Sequence, residues 1–376
     1  MRLSIFIYSL ASGGAERVVS ILLNELKDRY DITLVLMKNR IDYDIPKEIK
    51  IELLEDSDPN ESGIIKLLKL PLLGYKYKKQ IKNSDISLSF MNRPNYINIF
   101  AKLFGAKSRT IISERAMPSL QHRDGLQGKI NRFLIKMLYP YSDIVIANSM
   151  GNSLDLKKNF NIYEVITINN PFDIAKIKRE SQESIELNRD RFSFITIGRL
   201  DFGKNHKLMI EAIKEVDANL YIIGEGELKE ELETQIRELK LDNRVFLLGR
   251  QNNPYKYLSK VDSFLFTSLY EGFPNVLVEA LACGLPIISS DCRSGVREIL
   301  APKSDFTFQL KDDSFELAEY GILTAVNNRK SLLKAMKHIV ENRLLCKEYG
   351  SKAVLRANEF DKFKILVNFL EVIEAN

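Results

Sequence analysis

Histidine and cysteine are scarce in this chain of 376 residues. The three histidines, His122, His206 and His338, lie far apart, so a histidine-built metal centre has little support. The three cysteines, Cys283, Cys292 and Cys346, are odd in number and fit no zinc-ligand spacing. Reduced thiols in a cytoplasmic protein are the simplest reading. No run of about 18 consecutive apolar residues occurs, which argues against a spanning helix. Arg2 precedes an apolar run, as in a short signal peptide. That run extends only about 8 residues and leads into Ser-Gly-Gly-Ala-Glu-Arg, so a first buried strand is the better reading. Acids are missing from one stretch: Ser62 to Lys82 holds six lysines and no Asp or Glu.

What is present is an ordinary soluble composition, 45% apolar and 28% charged, in a chain long enough for two domains of roughly 150–200 residues. Charge is uneven. Residues 1–172 carry 25 Lys/Arg against 18 Asp/Glu, a net +7, which leaves the remainder at −2. Such asymmetry points to an anionic partner for the first half.

Apolar runs of strand length recur at Leu3–Tyr8, Ile32–Met37, Ile86–Phe90, Thr110–Ser113 and Ile144–Ala147. A helix with Val18, Val19, Leu22, Leu23 and Leu26 on one face follows the first. The second half repeats the plan. Phe192–Ile197, Leu220–Ile223 and Val245–Leu248 end in Gly198, Gly224 and Gly249, and Ser263–Thr267 and Pro286–Ser290 follow. Helical segments separate them at Leu208–Val216, Leu228–Leu239, Pro254–Leu258 and Val276–Ala282. Alternating strands and helices predict an α/β fold of two doubly wound, Rossmann-like domains with a ligand cleft between strand ends. The expected domains are 1–171 and 172–360, with an amphipathic helix over 361–376 crossing back to the first.

Two motifs carry charge to strand ends. Gly198-Arg199-Leu200-Asp201-Phe202-Gly203-Lys204-Asn205 delivers a guanidinium and an ammonium, which suit a diphosphate. The alternative is a solvated loop with incidental charges. In Glu271-Gly272-Phe273-Pro274-Asn275-Val276-Leu277-Val278-Glu279, a helix starts near Asn275, a good N-cap. Helix N-termini bind phosphate, Glu271 can reach a ligand, and Glu279 can accept hydrogen bonds from a ribose diol. Alternatively, Glu279 is only a favourable acid near a helix start.

These motifs resemble glycosyltransferase family 4. Its Glu-x7-Glu is present as EGFPNVLVE, its GRLxxxKN as GRLDFGKN, its strand-end acid as GEGEL (Gly224–Leu228) and its glycine loop as SGGAERV (Ser12–Val18). The resemblance implies a GT-B fold and retention of anomeric configuration. It implies that Arg199 and Lys204 hold the diphosphate and stabilise the leaving group, and that Glu279 holds the ribose. Glu271 would contact hydroxyls of the transferred sugar. Gly13, Gly14, Phe273, Asn275, Val276 and Leu277 would line the phosphate and sugar, with Glu225, Gly249 and Arg250 near the base. With an Arg/Lys clamp and a helix N-terminus to stabilise the charge on a leaving diphosphate, no metal or other cofactor is expected beyond the nucleotide-sugar donor substrate. Asp42-Tyr43-Asp44 looks like the metal-binding Asp-x-Asp of the other glycosyltransferase fold, but lies outside the nucleotide-binding half and reads as a surface loop. One position departs from the pattern: many members carry His after Glu114, where this chain has Arg115, which could contact phosphate or a charged acceptor.

Within the family, FIYSLASGGAERVV, SFMNRPNYI, MLYP and NNPYKY are similar to the N-acetylgalactosaminyltransferases that extend undecaprenyl-diphosphate-linked glycans in bacterial protein N-glycosylation. That likeness implies UDP-N-acetylgalactosamine as donor, a polyprenyl-diphosphate-linked acceptor, and a peripheral place on the inner face of the cytoplasmic membrane. IIKLLKLPLLGYKYKKQIK (Ile64–Lys82) fits an anionic membrane surface, although Pro71 breaks a continuous helix. The bland alternative is two core-facing pieces with solvated lysines. No nucleic-acid recognition motif is evident. An O-antigen or capsule transferase, a sugar-nucleotide epimerase and a non-catalytic sugar-nucleotide binder are the competing readings.

Overall fold

The structure, a computed structural model, describes residues 1–11, 13–56, 61–188 and 190–375. Ser12, the first residue of the expected glycine turn, lies outside the described residues. The chain divides into two compact units: Met1–Phe172 together with the segment from Lys362 onward, and Asp173–Asp361.

The first unit is built on seven parallel strands. They are β1 (Arg2–Ile7), β2 (Asp31–Leu36), β3 (Lys50–Leu53), β4 (Ile86–Phe90), β5 (Arg109–Glu114), β6 (Ile144–Ala147) and β7 (Val165–Thr167), in sheet order β3-β2-β1-β4-β5-β6-β7. The five apolar runs read from the sequence all form strands. β3 and β7 are additions at the two edges. Ile51 and Leu53 of β3 are exposed, so this strand lacks the apolar run that marks a buried one. The closing helix, Lys362–Glu374, packs in this unit, placing Ile365, Phe369, Val372 and Ile373 in the cluster that holds Leu22, Leu23 and Leu26. Full burial of one such side chain stabilises by about 1.5–3 kcal/mol. Lys362 pairs with Glu25 at 2.6 Å, and Tyr30 donates to Glu374 at 2.5 Å.

The second unit repeats the architecture with β8 (Phe192–Ile197), β9 (Ala218–Ile223), β10 (Val245–Gly249), β11 (Ser263–Phe266), β12 (Ile287–Ser290), β13 (Phe315–Ala318) and β14 (Gly321–Thr324). Their sheet order is β10-β9-β8-β11-β12-β14-β13. Every pairing is parallel except the β13–β14 hairpin at one edge. In each sheet the order reverses beside the first strand, between β1 and β4 and between β8 and β11. Open α/β sheets bind ligands beyond the strand ends at that reversal. No helix among the described residues is long and apolar enough to cross a membrane.

The Ile64–Lys82 stretch forms two helices, Gly63–Leu68 and Leu70–Gln80, with Pro71 in the first turn of the second. Proline is tolerated there because first-turn N–H groups have no intrahelical partner. Leu70, Leu73 and Tyr77 enter the core, while Ile64, Ile65, Leu68, Leu72 and Tyr75 face outward. The second helix has a core-facing side, as the bland reading expects, and a row of apolar residues is left exposed. Lys69 is neutralised by acids from outside the run, Glu55 at 2.9 Å and Glu61.

Candidate functional site

In the second unit the loops after β8 and β11 meet at the sheet's reversal. Asp201 accepts from the Lys204 amide at 3.1 Å and closes a tight turn, Phe202–Lys204. Thr267, just past β11, donates to the carbonyls of Lys204 and Asn205, each at 3.0 Å, and the Leu269 amide donates to Gly203 at 2.8 Å. These ties bring the Lys204 ammonium onto the Glu271 carboxylate as a direct ion pair. Burial by itself would lower the Lys204 pKa; the Glu271 charge and hydrogen bond outweigh it and hold the group above its ordinary value. His206, buried two residues on, is pushed the other way, to about 4, first by burial and then by the Lys204 charge. Arg199 is exposed on the same loop.

Glycines let the neighbouring loop nest against this one. A Cβ at Gly224 would overlap the Gly198 carbonyl oxygen, and one at Gly226 the Leu200 carbonyl. Leu200 donates its amide to the Glu225 carbonyl at 2.9 Å, and the Glu225 side chain is exposed. Gly249 ends β10 with φ +66° and accepts from the Gly224 amide at 3.0 Å; Arg250 follows, exposed.

Beyond Glu271 the chain turns into the helix Asn275–Ala282. Asn275 is the first helical residue and not the N-cap expected from the sequence. Pro274 caps, and it has no side chain that can accept the first-turn amides. The helix N-terminus thus carries no side-chain cap, the condition in which its dipole and amides serve an anion. Phe273 is buried edge-on against Phe360 at 5.6 Å, Val276 is half-buried, Leu277 is in the interior, and Glu279 is buried one turn in. The turn before the helix is braced from the loop after β12. Ser294 donates to the Gly272 carbonyl at 2.6 Å, and a Cβ at Gly295 would lie 2.7 Å from Pro274 Cδ and 2.9 Å from Phe273 Cα.

Gly13, Gly14, Glu114 and Arg115 belong to the first unit. Gly13 precedes the helix Gly14–Leu26 in extended conformation, with the Glu16 carboxylate folded over its Cα. Burial holds the Glu16 pKa above the usual carboxylate range. Tyr43, from the Asp-x-Asp-like segment, accepts from the Gly13 amide at 3.2 Å and donates to its carbonyl at 2.9 Å. That segment is a fastening for the glycine loop. At the end of β5, Glu114 is fully buried and accepts from the Arg115 amide at 2.9 Å and from Tyr139 at 2.7 Å. Burial raises its pKa.

Thr267 and Ser294 were given no role by sequence reasoning, because a lone hydroxyl in a loop has no periodicity or spacing to mark it; His206 and Tyr43 were named there only in weighing a metal site. Among the described residues no cluster of three or more His, Cys, Asp or Glu could hold a metal ion.

Two Rossmann-like sheets, each with a loaded strand-end reversal, define the GT-B class of α/β proteins, and known proteins share that architecture. HepE of Anabaena, solved with UDP and glucose, superposes with a TM-score of 0.78 at 20% identity over 100% of both chains. Sucrose-phosphate synthase of Thermosynechococcus elongatus gives 0.81 at 15% identity, covering 99% of this chain and 98% of its own. The family model described as "Glycosyl transferases group 1" matches residues 177–356. An N-acetylgalactosaminyltransferase of Campylobacter jejuni, named as acting on N-acetylgalactosamine-N,N'-diacetylbacillosaminyl-diphospho-undecaprenol, is 43% identical over 99% of both chains. The chain belongs to the group 1 glycosyltransferase family and is a glycosyltransferase.

Proposed function

We propose that this enzyme moves N-acetylgalactosamine from UDP-N-acetylgalactosamine onto an undecaprenyl-diphosphate-linked oligosaccharide, with retention, at the cytoplasmic membrane face. The observation that carries this reading is the full-length 43% identity to the Campylobacter jejuni enzyme. The geometry supplies the chemistry. Breaking a sugar–phosphate bond leaves negative charge on UDP. Lys204, fixed by its turn, and Arg199 would bind the diphosphate beside the N-terminus of Asn275–Ala282, with the amides of Asn275 and Val276 toward it; the Leu277 amide, expected there from the sequence, instead donates to the Pro274 carbonyl at 3.0 Å. Preorganised donors of this kind contribute about 2.7–4 kcal/mol each to such a transition state. Glu279 would hold the ribose, Glu271 the sugar hydroxyls, and Glu225, Gly249 and Arg250 the base. With two cations on the diphosphate, the reaction needs no metal ion, and transfer would persist in excess chelator.

The acceptor is assigned to the first unit, and attachment to the membrane to its outward apolar row. Ile64 and Leu68 are 67% and 76% exposed, and Lys76 and Lys79 are exposed nearby. Apolar side chains flanked by lysines suit an anionic lipid surface. The reading is tested by offering UDP-sugars in turn with a lipid-diphosphate-linked glycan and with O-antigen or capsule acceptors. N-acetylgalactosamine addition to the lipid-linked glycan is the expected result. Transfer confined to the other acceptors would contradict it, and failure to sediment with anionic vesicles at low salt would remove the membrane assignment.

A further inference from the structure

Arg115 is a half-buried cation set among neutral partners. Its guanidinium stands at the carboxyl end of β5. Nη1 donates to the Ser113 hydroxyl at 3.3 Å, Nη2 donates to the Asn170 side-chain oxygen, and Nε is buried with no partner. The Phe90 ring lies 5.7 Å away. Among the described residues Glu114 is the carboxylate that acts on it, and the Glu114 oxygens are engaged by the Arg115 and Ala116 amides and by Tyr139. Burial outweighs that carboxylate and lowers the Arg115 pKa to about 9. The surroundings keep to the same character: Asn148 donates to the Arg115 carbonyl at 3.1 Å, and Asn152 and Asn169 donate in turn to Asn148.

Holding a guanidinium partly away from water, with Nε buried and unpartnered and no carboxylate bound to the fork, is costly, and the cost is recovered when an anion arrives. Two side chains, the Ser113 hydroxyl and the Asn170 amide oxygen, satisfy the arginine fork only in part, whereas a phosphate accepts two parallel N–H bonds from it. We propose that Arg115 is a substrate-phosphate seat in the first unit, taking one phosphate of a diphosphate. This rests on the transferase reading, which supplies two sources of that group, the UDP donor and the lipid-linked acceptor.

The test uses the full-length enzyme with Arg115→Met and Arg115→Lys. Two quantities are read: the Kd of UDP without acceptor, and the KM of a lipid-diphosphate glycan against the same glycan on an uncharged ether-linked lipid. In Arg115→Met one of them rises by about tenfold or more, as loss of a charge-assisted bond requires, and Arg115→Lys recovers part of the loss. A higher UDP Kd assigns the seat to the donor. A higher KM confined to the diphosphate acceptor assigns it to the lipid. Equal losses on both acceptors with unchanged UDP binding overturn the proposal, as does a lower melting temperature with all constants unchanged. A wild-type enzyme that transfers nothing to lipid-linked glycans would sink the proposed function, while the UDP arm would still test Arg115.

Discussion

The two sheets reverse their strand order at the same place but arm their strand ends differently. Counted from its own first strand, the first unit runs 3-2-1-4-5-6-7 and the second 3-2-1-4-5-7-6. At the second reversal the principal cation, Lys204, is already balanced by Glu271. In the first unit the cation at a strand end, Arg115, meets neutral partners, and the glycine loop is covered by a carboxylate, Glu16, rather than by a cation. A balanced pair can rest in water-poor surroundings and exchange one anion for another when a diphosphate arrives. An unbalanced cation gains most from its ligand and tolerates its absence least. The same reversal therefore carries two kinds of cation setting, and the loops rather than the sheets decide which.

The largest effect that would break this comparison is loss of Lys204. Lys204→Ala should lower the transfer rate constant by about a hundredfold to a thousandfold with the fold intact, measured as kcat alongside circular dichroism. Near-normal turnover would remove the second reversal as the site of leaving-group stabilisation.

The next effect is on stability. His206 is buried neutral, with a folded pKa of about 4 against an ordinary value of 6.5. Since the folded form binds fewer protons than the unfolded chain, the protein loses stability as pH falls from about 6.5 toward 4. The loss from this group amounts to roughly 3 kcal/mol in the limit. Denaturant titrations across that range should show the slope, and His206→Leu should flatten it. An unchanged slope would mean that His206 is hydrated or charged in the folded enzyme.

The smallest effect lies in the first unit. Tyr43→Phe removes a hydroxyl that both accepts from and donates to Gly13, so donor KM should rise by several-fold, matching about 1 kcal/mol. Unaltered steady-state constants would show that the glycine loop keeps its shape without the fastening.

Much of this was legible in the chain because buried parallel strands are continuous apolar runs. Phe192–Ile197 followed by Gly198 announces both a strand and a place where a loop must come close, and the structure puts the Gly224 backbone against that glycine's carbonyl. Edges were legible only in part: β10 was read as Val245–Leu248, whereas Leu317 of β13 is exposed like Ile51 and Leu53 of β3, so neither of those strands has an apolar run to reveal it. The β13–β14 hairpin, with its buried inner strand, had no counterpart in the sequence reading. The charged site residues were readable as motifs, but the direct contact between Lys204 and Glu271 was not. It depends on Thr267, Gly203 and Leu269 bringing two loops together that are 67 residues apart in the chain. Asn275 misled because asparagine is a good cap in general, whereas here the turn is held from outside by Ser294 and Pro274 takes the cap position.

The central claim is that Lys204 is a diphosphate ligand held in reserve by Glu271. Calorimetric titration of UDP into Glu271→Gln tests it most directly, because that substitution keeps the shape and removes the competing charge. UDP should bind at least as tightly as to the wild type, by up to about tenfold more, while sugar transfer by the same variant collapses. UDP binding that weakens in step with transfer would contradict the account and make Glu271 part of the nucleotide's own seat.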